Sequence, residues 1–289
     1  MQTFDAPDGT RLAYHVRGGG EPLICLPGGP MRASAYLGDL GGLAEHRRLI
    51  LLDLRGTGDS ALPADPATYR CDRQIADVEA LREHLGLARC DILAHSAAGD
   101  LALLHAARHP HRVNSLTLVT ARARALGVDF TEEHRREAAA LRAGEPWFAS
   151  AYSAYERIWS GSDADADWDA VAPFFYGRWD ATARAHAAAD LDQTNLEAAD
   201  LYPSPGAFDP ARTRAALAEL DLPVLLLAGE RDSGPRPRVA ADVVKYFRHA
   251  RLHVQPDAGH FPWLDDPAAF SETVAAFLRG AACRASEPG

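Results

Sequence analysis

Three residues of the 289-residue chain have the types and the order that acyl-transfer chemistry needs: Ser96 in "CDILAHSAAGDLALLHAARHP", Asp232 in "LLLAGERDSG" and His260 in "QPDAGHFPW". A serine hydroxyl attacks a carbonyl only when a base removes its proton, and the base needs an acid to orient its ring. Ser96 ends an apolar, strand-like run, Asp232 lies just past one, and His260 sits in a Gly-containing loop just past the next. Serine first, acid second and histidine last is one of the chain orders in which this chemistry recurs.

Ser96 ends an apolar run, and an Ala-rich helical run begins just after it. A strand passing straight into a helix would put the serine on a tight turn, with its hydroxyl at the N-terminal end of a helix whose free N–H groups favour negative charge. The Gly-x-Ser-x-Gly pattern is incomplete, because Ala94 and Ala98 replace both glycines. Ala is the next smallest choice at a crowded turn. By itself the motif leaves a second reading open, a serine that merely caps a helix. Asp232 and His260, arriving at later strand ends in the required order, decide for catalysis.

Glu230, two residues before Asp232, is the competing acid; the run "SLTLVT" carries none at its end. His95, His105, His109 and His111 are read as packing or helix-end residues. An oxyanion needs two donors. The N–H of Ala97 is one, and "CLPGGPM" offers unobstructed backbone at Gly28 and Gly29 for the other. Gly29 is favoured because it corresponds to the residue after His-Gly in loops of this kind. "DLRGTGDS", Asp53 to Ser60, is a glycine turn that shapes its loop; no Gly-Lys-Ser/Thr follows, so it is no phosphate loop.

The elements that must position these residues follow from periodicity. From Leu12 to Thr120, β-rich runs ("PLICLPG", "RLILLDLRG", "CDILAHS", "VNSLTLVT") alternate with helical ones ("DRQIADVEALREHLG", "AAGDLALLHAARHP"), which predicts parallel strands with crossover helices. The opening "TFDAPDGTRLAYHV" predicts an antiparallel hairpin. The rhythm stops over residues 121–209, rich in Ala, aromatic residues and charges at helical spacing, and returns with "PVLLLAGERD", "RVAADVVKYFRH", "ARLHVQP" and "DPAAFSETVAAFLRG". The expected organisation is an α/β core over 1–120 and 210–283, an inserted helical cap over 121–209 and a frayed tail over 284–289.

A net charge of -10 argues against nucleic acid or an anionic membrane as the main partner. A small molecule or short peptide is expected instead. Neither a secretory leader nor about 18 consecutive apolar residues is found, so a cytoplasmic location is expected. Cys25, Cys71, Cys90 and Cys283 lack metal-type spacing and are read as reduced structural thiols. No metal or cofactor is expected, and the oligomeric state is left open.

On these motifs the chain resembles the α/β-hydrolase superfamily, and within it the proline iminopeptidase group of serine aminopeptidases, over nearly its whole length. "LPGGP" is similar to that group's HGGPG loop, "DLRGTGDS" to its DxRGxGxS loop, "AHSAAG" to its elbow, and "AGERD" and "DAGHFP" to its acid and base loops. The resemblance implies an α/β-hydrolase fold, a Ser96–His260–Asp232 triad and an oxyanion hole at Gly29 and Ala97. It departs at Pro27, where the group has His, at Met31, where it has Gly, and at the two alanines of the elbow. In the cap, "YSAYERIW" resembles the stretch by which iminopeptidases bind the substrate's free amino group, which implies that role for Glu156; the aromatic face of Tyr152, Tyr155 and Trp159 reads equally as cap core. Glu197 is a looser candidate for a second acid. The expected function is a cofactor-free serine hydrolase releasing an N-terminal Pro or small apolar residue. The alternatives are an esterase, lactonase or amidase of small hydrophobic acyl compounds, and a non-catalytic scaffold that binds a small molecule under the cap. Dehalogenase and epoxide hydrolase chemistry is set aside because those elbows carry Asp.

Overall fold

The computed structural model describes residues 1–162 and 164–285, residues 283–285 as backbone only. Eight strands form one sheet: β1 Gln2–Asp5, β2 Arg11–Arg17, β3 Pro22–Leu26, β4 Arg48–Leu52, β5 Cys90–His95, β6 Val113–Val119, β7 Pro223–Gly229 and β8 His249–Gln255. Their spatial order is β1-β2-β4-β3-β5-β6-β7-β8. β1 and β2 pair antiparallel, as the "PDG" turn requires, and β2 pairs antiparallel with β4. The remaining pairs are parallel. The central strands are apolar on both faces because both are covered: Leu23, Ile24, Cys25 and Leu26 of β3 and Ile92, Leu93 and Ala94 of β5 are fully buried.

The helices are α1 Ile75–His84, α2 Ala98–Arg108, α3 Glu132–Ala140, α4 Phe148–Trp159, α5 Asp165–Val171, α6 Ala181–Ala188, α7 Asp190–Gln193, α8 Leu196–Leu201, α9 Pro210–Ala218, α10 Pro237–Val244, α11 Pro262–Asp265 and α12 Pro267–Ala285. Two apolar clusters lie on the sheet. One gathers Val78 and Leu81 of α1, Leu101 of α2 and Val243 of α10; the other gathers Phe270, Val274 and Phe277 of α12. α12 continues to Ala285, two residues into the segment expected as a tail, and 286–289 lie outside the described residues.

Among the described residues no strand occurs between β6 and β7. That stretch has a small core of its own: Ala139, Ala151, Ala154, Tyr155, Val171 and Phe174. Tyr155 stacks between Trp159, 5.1 Å away, and Phe174, 4.7 Å away. No described helix is long and apolar enough to cross a membrane.

The topology brings the carboxyl ends of β3 and β5 side by side. β4 lies on one side of β3, and β5 opens the succession toward the other edge, so the chain reverses direction between β3 and β5. At such a switch point the loops beyond the carboxyl ends of the strands diverge and leave a crevice. The loop after β3 and the turn after β5 leave the sheet at such a point, and these carry Gly28–Gly29 and Ser96.

Candidate active site

Ser96 joins β5 directly to α2 and has a left-handed backbone, φ 53°. A residue with a Cβ pays steric strain there, of order 1–3 kcal/mol, so its neighbours must hold it. They do: the Ser96 N–H donates to the Val119 carbonyl at 3.0 Å, and the Ser96 carbonyl accepts from Gly99 N–H at 3.0 Å and Arg122 N–H at 2.9 Å. Crowding also explains the small residues. A Cβ on Gly99 would lie 2.4 Å from the Arg122 carbonyl oxygen, and one on Gly28 would lie 2.7 Å from the His95 carbonyl oxygen and 2.8 Å from Ser96 Cβ. The glycine constraint sits at Gly28 and Gly99, while the positions on either side of Ser96 tolerate Ala94 and Ala98.

Ser96 Oγ lies 2.8 Å from His260 Nε2, and His260 Nδ1 lies 3.1 and 3.0 Å from the two oxygens of Asp232. Asp232 is fully buried, and Gly234 N–H donates to its Oδ1 at 2.7 Å. A carboxylate can only accept, so it fixes the proton of His260 on Nδ1 and leaves Nε2 free to accept from the serine. His260 is held from both sides: its backbone N–H donates to the Phe175 carbonyl, in the stretch between β6 and β7, at 2.7 Å, and its carbonyl accepts from Thr120 Oγ1 at 2.9 Å. Glu230, the competing acid, is exposed and accepts from Asp257 N–H at 2.9 Å.

Gly28 N–H is engaged with the Tyr36 hydroxyl at 2.7 Å, whereas among the described residues neither Gly29 N–H nor Ala97 N–H donates to any acceptor. A Cβ on Gly28 would lie 3.3 Å from the Ala97 nitrogen, which places the β3 loop directly against the elbow. Met31, where the iminopeptidases have Gly, is fully buried and keeps a left-handed φ of 62°. The same loop is fastened to α7 and the turn that follows it: Ala33 N–H donates to the Gln193 carbonyl, Asn195 N–H donates to the Met31 carbonyl, and the buried Arg32 reaches Asp190 at 2.7 Å and Gln193 at 2.9 Å.

Asp53 accepts from the backbone and hydroxyl of Ser34 at 2.8 and 2.7 Å, and the buried Arg55 pairs with Asp77. The "DLRGTGDS" loop therefore braces the loop after β3. Cys25, Cys71 and Cys90 are buried free thiols, and burial pushes the Cys25 thiol upward. The Cys283 side chain lies outside the described residues.

Glu156 lies in the stretch between β6 and β7. Its side chain is exposed on α4, and it is the preceding residue, Tyr155, that turns inward. Glu197 is exposed as well. "YSAYERIW" lies on α4, where neighbouring residues point about 100° apart, so Tyr155 is buried while Glu156 is exposed. Sequence reasoning also missed Tyr36, Thr120 and the Phe175 carbonyl. Tyr36 had no signal beyond lying eight residues after Gly28, and the other two come from segments joined only by the tertiary fold.

An eight-stranded, mostly parallel sheet with a serine at the turn after its fifth strand defines an α/β hydrolase. The chain belongs to the alpha/beta hydrolase fold family, whose model matches residues 21–267. It is 39% identical to a proline iminopeptidase of Lactobacillus helveticus over 101 residues, a match spanning 34% of each chain, so about a third of that relative's length is covered. A proline iminopeptidase of Levilactobacillus brevis is 27% identical over 93% of this chain and 91% of that one. The solved structure of proline iminopeptidase from Mycobacterium smegmatis superposes with a TM-score of 0.75 at 25% identity, over 99% and 100% of the two chains. A putative aryl esterase from Burkholderia cenocepacia superposes with the same TM-score, 0.75, at 22% identity over 98% and 99%, a likeness of fold. The chain thus has the α/β-hydrolase fold.

Proposed function

We propose that the protein is a serine hydrolase that works through an acyl-enzyme. The observation that carries this reading is the continuous chain from Ser96 Oγ through His260 to Asp232, at 2.8 and 3.0 Å, ending on a strained elbow serine. In the proposed cycle His260 Nε2 takes the serine proton as Oγ attacks the substrate carbonyl. Buried Asp232 stabilises the imidazolium so formed and keeps its ring in line. The tetrahedral oxyanion accepts hydrogen bonds from Gly29 and Ala97, whose amides are otherwise unengaged. His260 then returns the proton to the leaving group and activates a water to clear the acyl-enzyme.

We place the acyl group among small, uncharged ones, as in esters, lactones or simple amides. An aminopeptidase must hold a substrate ammonium group, and the two cap carboxylates suggested for that task, Glu156 and Glu197, are both exposed. A second reading, release of an N-terminal Pro or small apolar residue, is favoured by the similarity to the iminopeptidases of Lactobacillus and Mycobacterium. A side-by-side assay of p-nitrophenyl esters and aminoacyl arylamides distinguishes the two. Ester turnover at least tenfold more efficient than Pro-arylamide turnover supports the first reading, and the reverse order supports the second.

A further inference from the structure

We infer that Tyr36 is a positioning residue for the proposed hydrolysis, holding the oxyanion loop and the catalytic base in register through a hydrogen-bond chain that passes behind Ser96. The inference rests on the serine hydrolase reading. Tyr36 belongs to a short helical turn, Ser34–Leu37, and both it and His95 are buried. The Tyr36 hydroxyl lies 2.7 Å from Gly28 N and 2.7 Å from His95 Nδ1, and His95 Nε2 lies 2.9 Å from the His260 carbonyl oxygen.

Every bond in this chain has a fixed direction. The His260 carbonyl can only accept, so the proton of His95 sits on Nε2. Nδ1 is then an acceptor and takes the Tyr36 hydroxyl proton, and the Tyr36 oxygen is left to accept from Gly28 N–H. Burial first, and the nearby His260 second, push the pKa of His95 well down, so His95 stays neutral and this polarity persists.

The chain joins three loops that contribute to one reaction. Gly28 precedes the proposed oxyanion donor Gly29, and its two peptide planes are pinned separately. Tyr36 holds the Gly28 N–H, and Arg32 N–H donates to the Gly28 carbonyl at 3.0 Å, which sets the plane carrying Gly29 N–H. His95 sits at the end of β5, immediately before the serine. His260 is the base, and its carbonyl also accepts from Thr120. None of this touches substrate. Losing the hydroxyl would free one plane of the loop and strip His95 Nδ1 of its donor, while the ring would keep its tilted and edge-on contacts with His95, Phe261 and Trp263.

The test compares wild type, Tyr36→Phe and Ser96→Ala on p-nitrophenyl acetate, with Tyr14→Phe as a second buried-hydroxyl deletion. The Tyr14 hydroxyl bonds Gln2 at the sheet edge, 2.5 Å away. Removing an oxyanion donor outright costs about 10²–10³ in kcat, and a group that only aims one costs less. Tyr36→Phe is therefore expected to lower kcat by about 10- to 100-fold with KM within about threefold, and Tyr14→Phe to leave kcat unchanged. A kcat for Tyr36→Phe within twofold of wild type, an equal loss in Tyr14→Phe, or a loss confined to KM would overturn the inference. Nitrogen-15 imidazole spectra of the wild-type protein report on the chain without turnover. His95 is expected as the Nε2–H tautomer, and an Nδ1–H tautomer would overturn the inference even if Tyr36→Phe does not fold. If wild type is no faster than Ser96→Ala, the serine hydrolase reading fails instead, and the spectra alone decide about the chain.

Discussion

Both carboxylate oxygens of Asp232 lie within 3.1 Å of His260 Nδ1, and Asp232 is wholly shielded from water. Asp232→Asn would present an amide that can donate where the carboxylate accepts, and would stabilise the wrong tautomer of the base. The expected loss in kcat is about 10⁴-fold, with the fold retained by circular dichroism. Glu230→Gln, at the exposed neighbour, is expected to stay within twofold of wild type. Reversed effects would move the acid to Glu230.

A Cβ at Gly28 would collide with Ser96 Cβ and the His95 carbonyl, so Gly28→Ala must push either the elbow or the β3 loop aside. The expected result is at least about a 10²-fold loss of kcat and a destabilisation of about 1–3 kcal/mol, the usual cost of overpacking. Gly144→Ala, where an added Cβ meets nothing within 4 Å, should leave both unchanged. Kinetics and denaturant midpoints on the two variants check this pair.

Exposure of Glu156 on α4 leads to a negative expectation. Glu156→Gln should keep kcat/KM within twofold on both an ester and a Pro-arylamide. Selective loss on the arylamide would restore the ammonium-binding role and bring the aminopeptidase reading to the front. By contrast Tyr155→Ala, which empties the centre of the small apolar core between β6 and β7, should cost about 3–5 kcal/mol.

Burial holds the pKa of His186 down to about 4, with the charge of Arg32 as the next cause. The folded form therefore binds the proton less readily than the unfolded chain, where the ordinary value is about 6.5. Its contribution to stability is complete above about 6.5 and is lost as the pH falls toward 4, at about 1.4 kcal/mol per pH unit. His186→Asn should remove that contribution. Urea unfolding between pH 6 and pH 4.5 should show the variant losing stability less steeply than wild type, and equal slopes would contradict the sign.

Much of the frame was legible in the sequence because it rests on local signals. Apolar runs such as "PLICL" and "RLILL" marked central strands, "PDG" marked the hairpin, and Ser96, Asp232 and His260 come just past the carboxyl ends of β5, β7 and β8. What stayed hidden depends on contacts distant in sequence. The Tyr36–His95–His260 chain joins residues 59 and 165 apart, and no local pattern encodes it. Glu156 shows a different limit: which of two adjacent residues on α4 faces inward is set by the packing of Tyr155 against Phe174, and no local pattern encodes that contact.

The central claim is that Ser96 forms a covalent bond with the reacting centre, and the direct measurement is intact-protein mass after incubation with an alkyl fluorophosphonate. Wild type is expected to gain one phosphonyl group, located by peptide mapping on the segment that carries Ser96. His260→Ala should label far more slowly, by about 10³-fold or more, and Ser96→Ala should gain nothing. A single adduct of equal yield on Ser96→Ala, or an adduct mapping to any other residue of the wild type, would contradict the account.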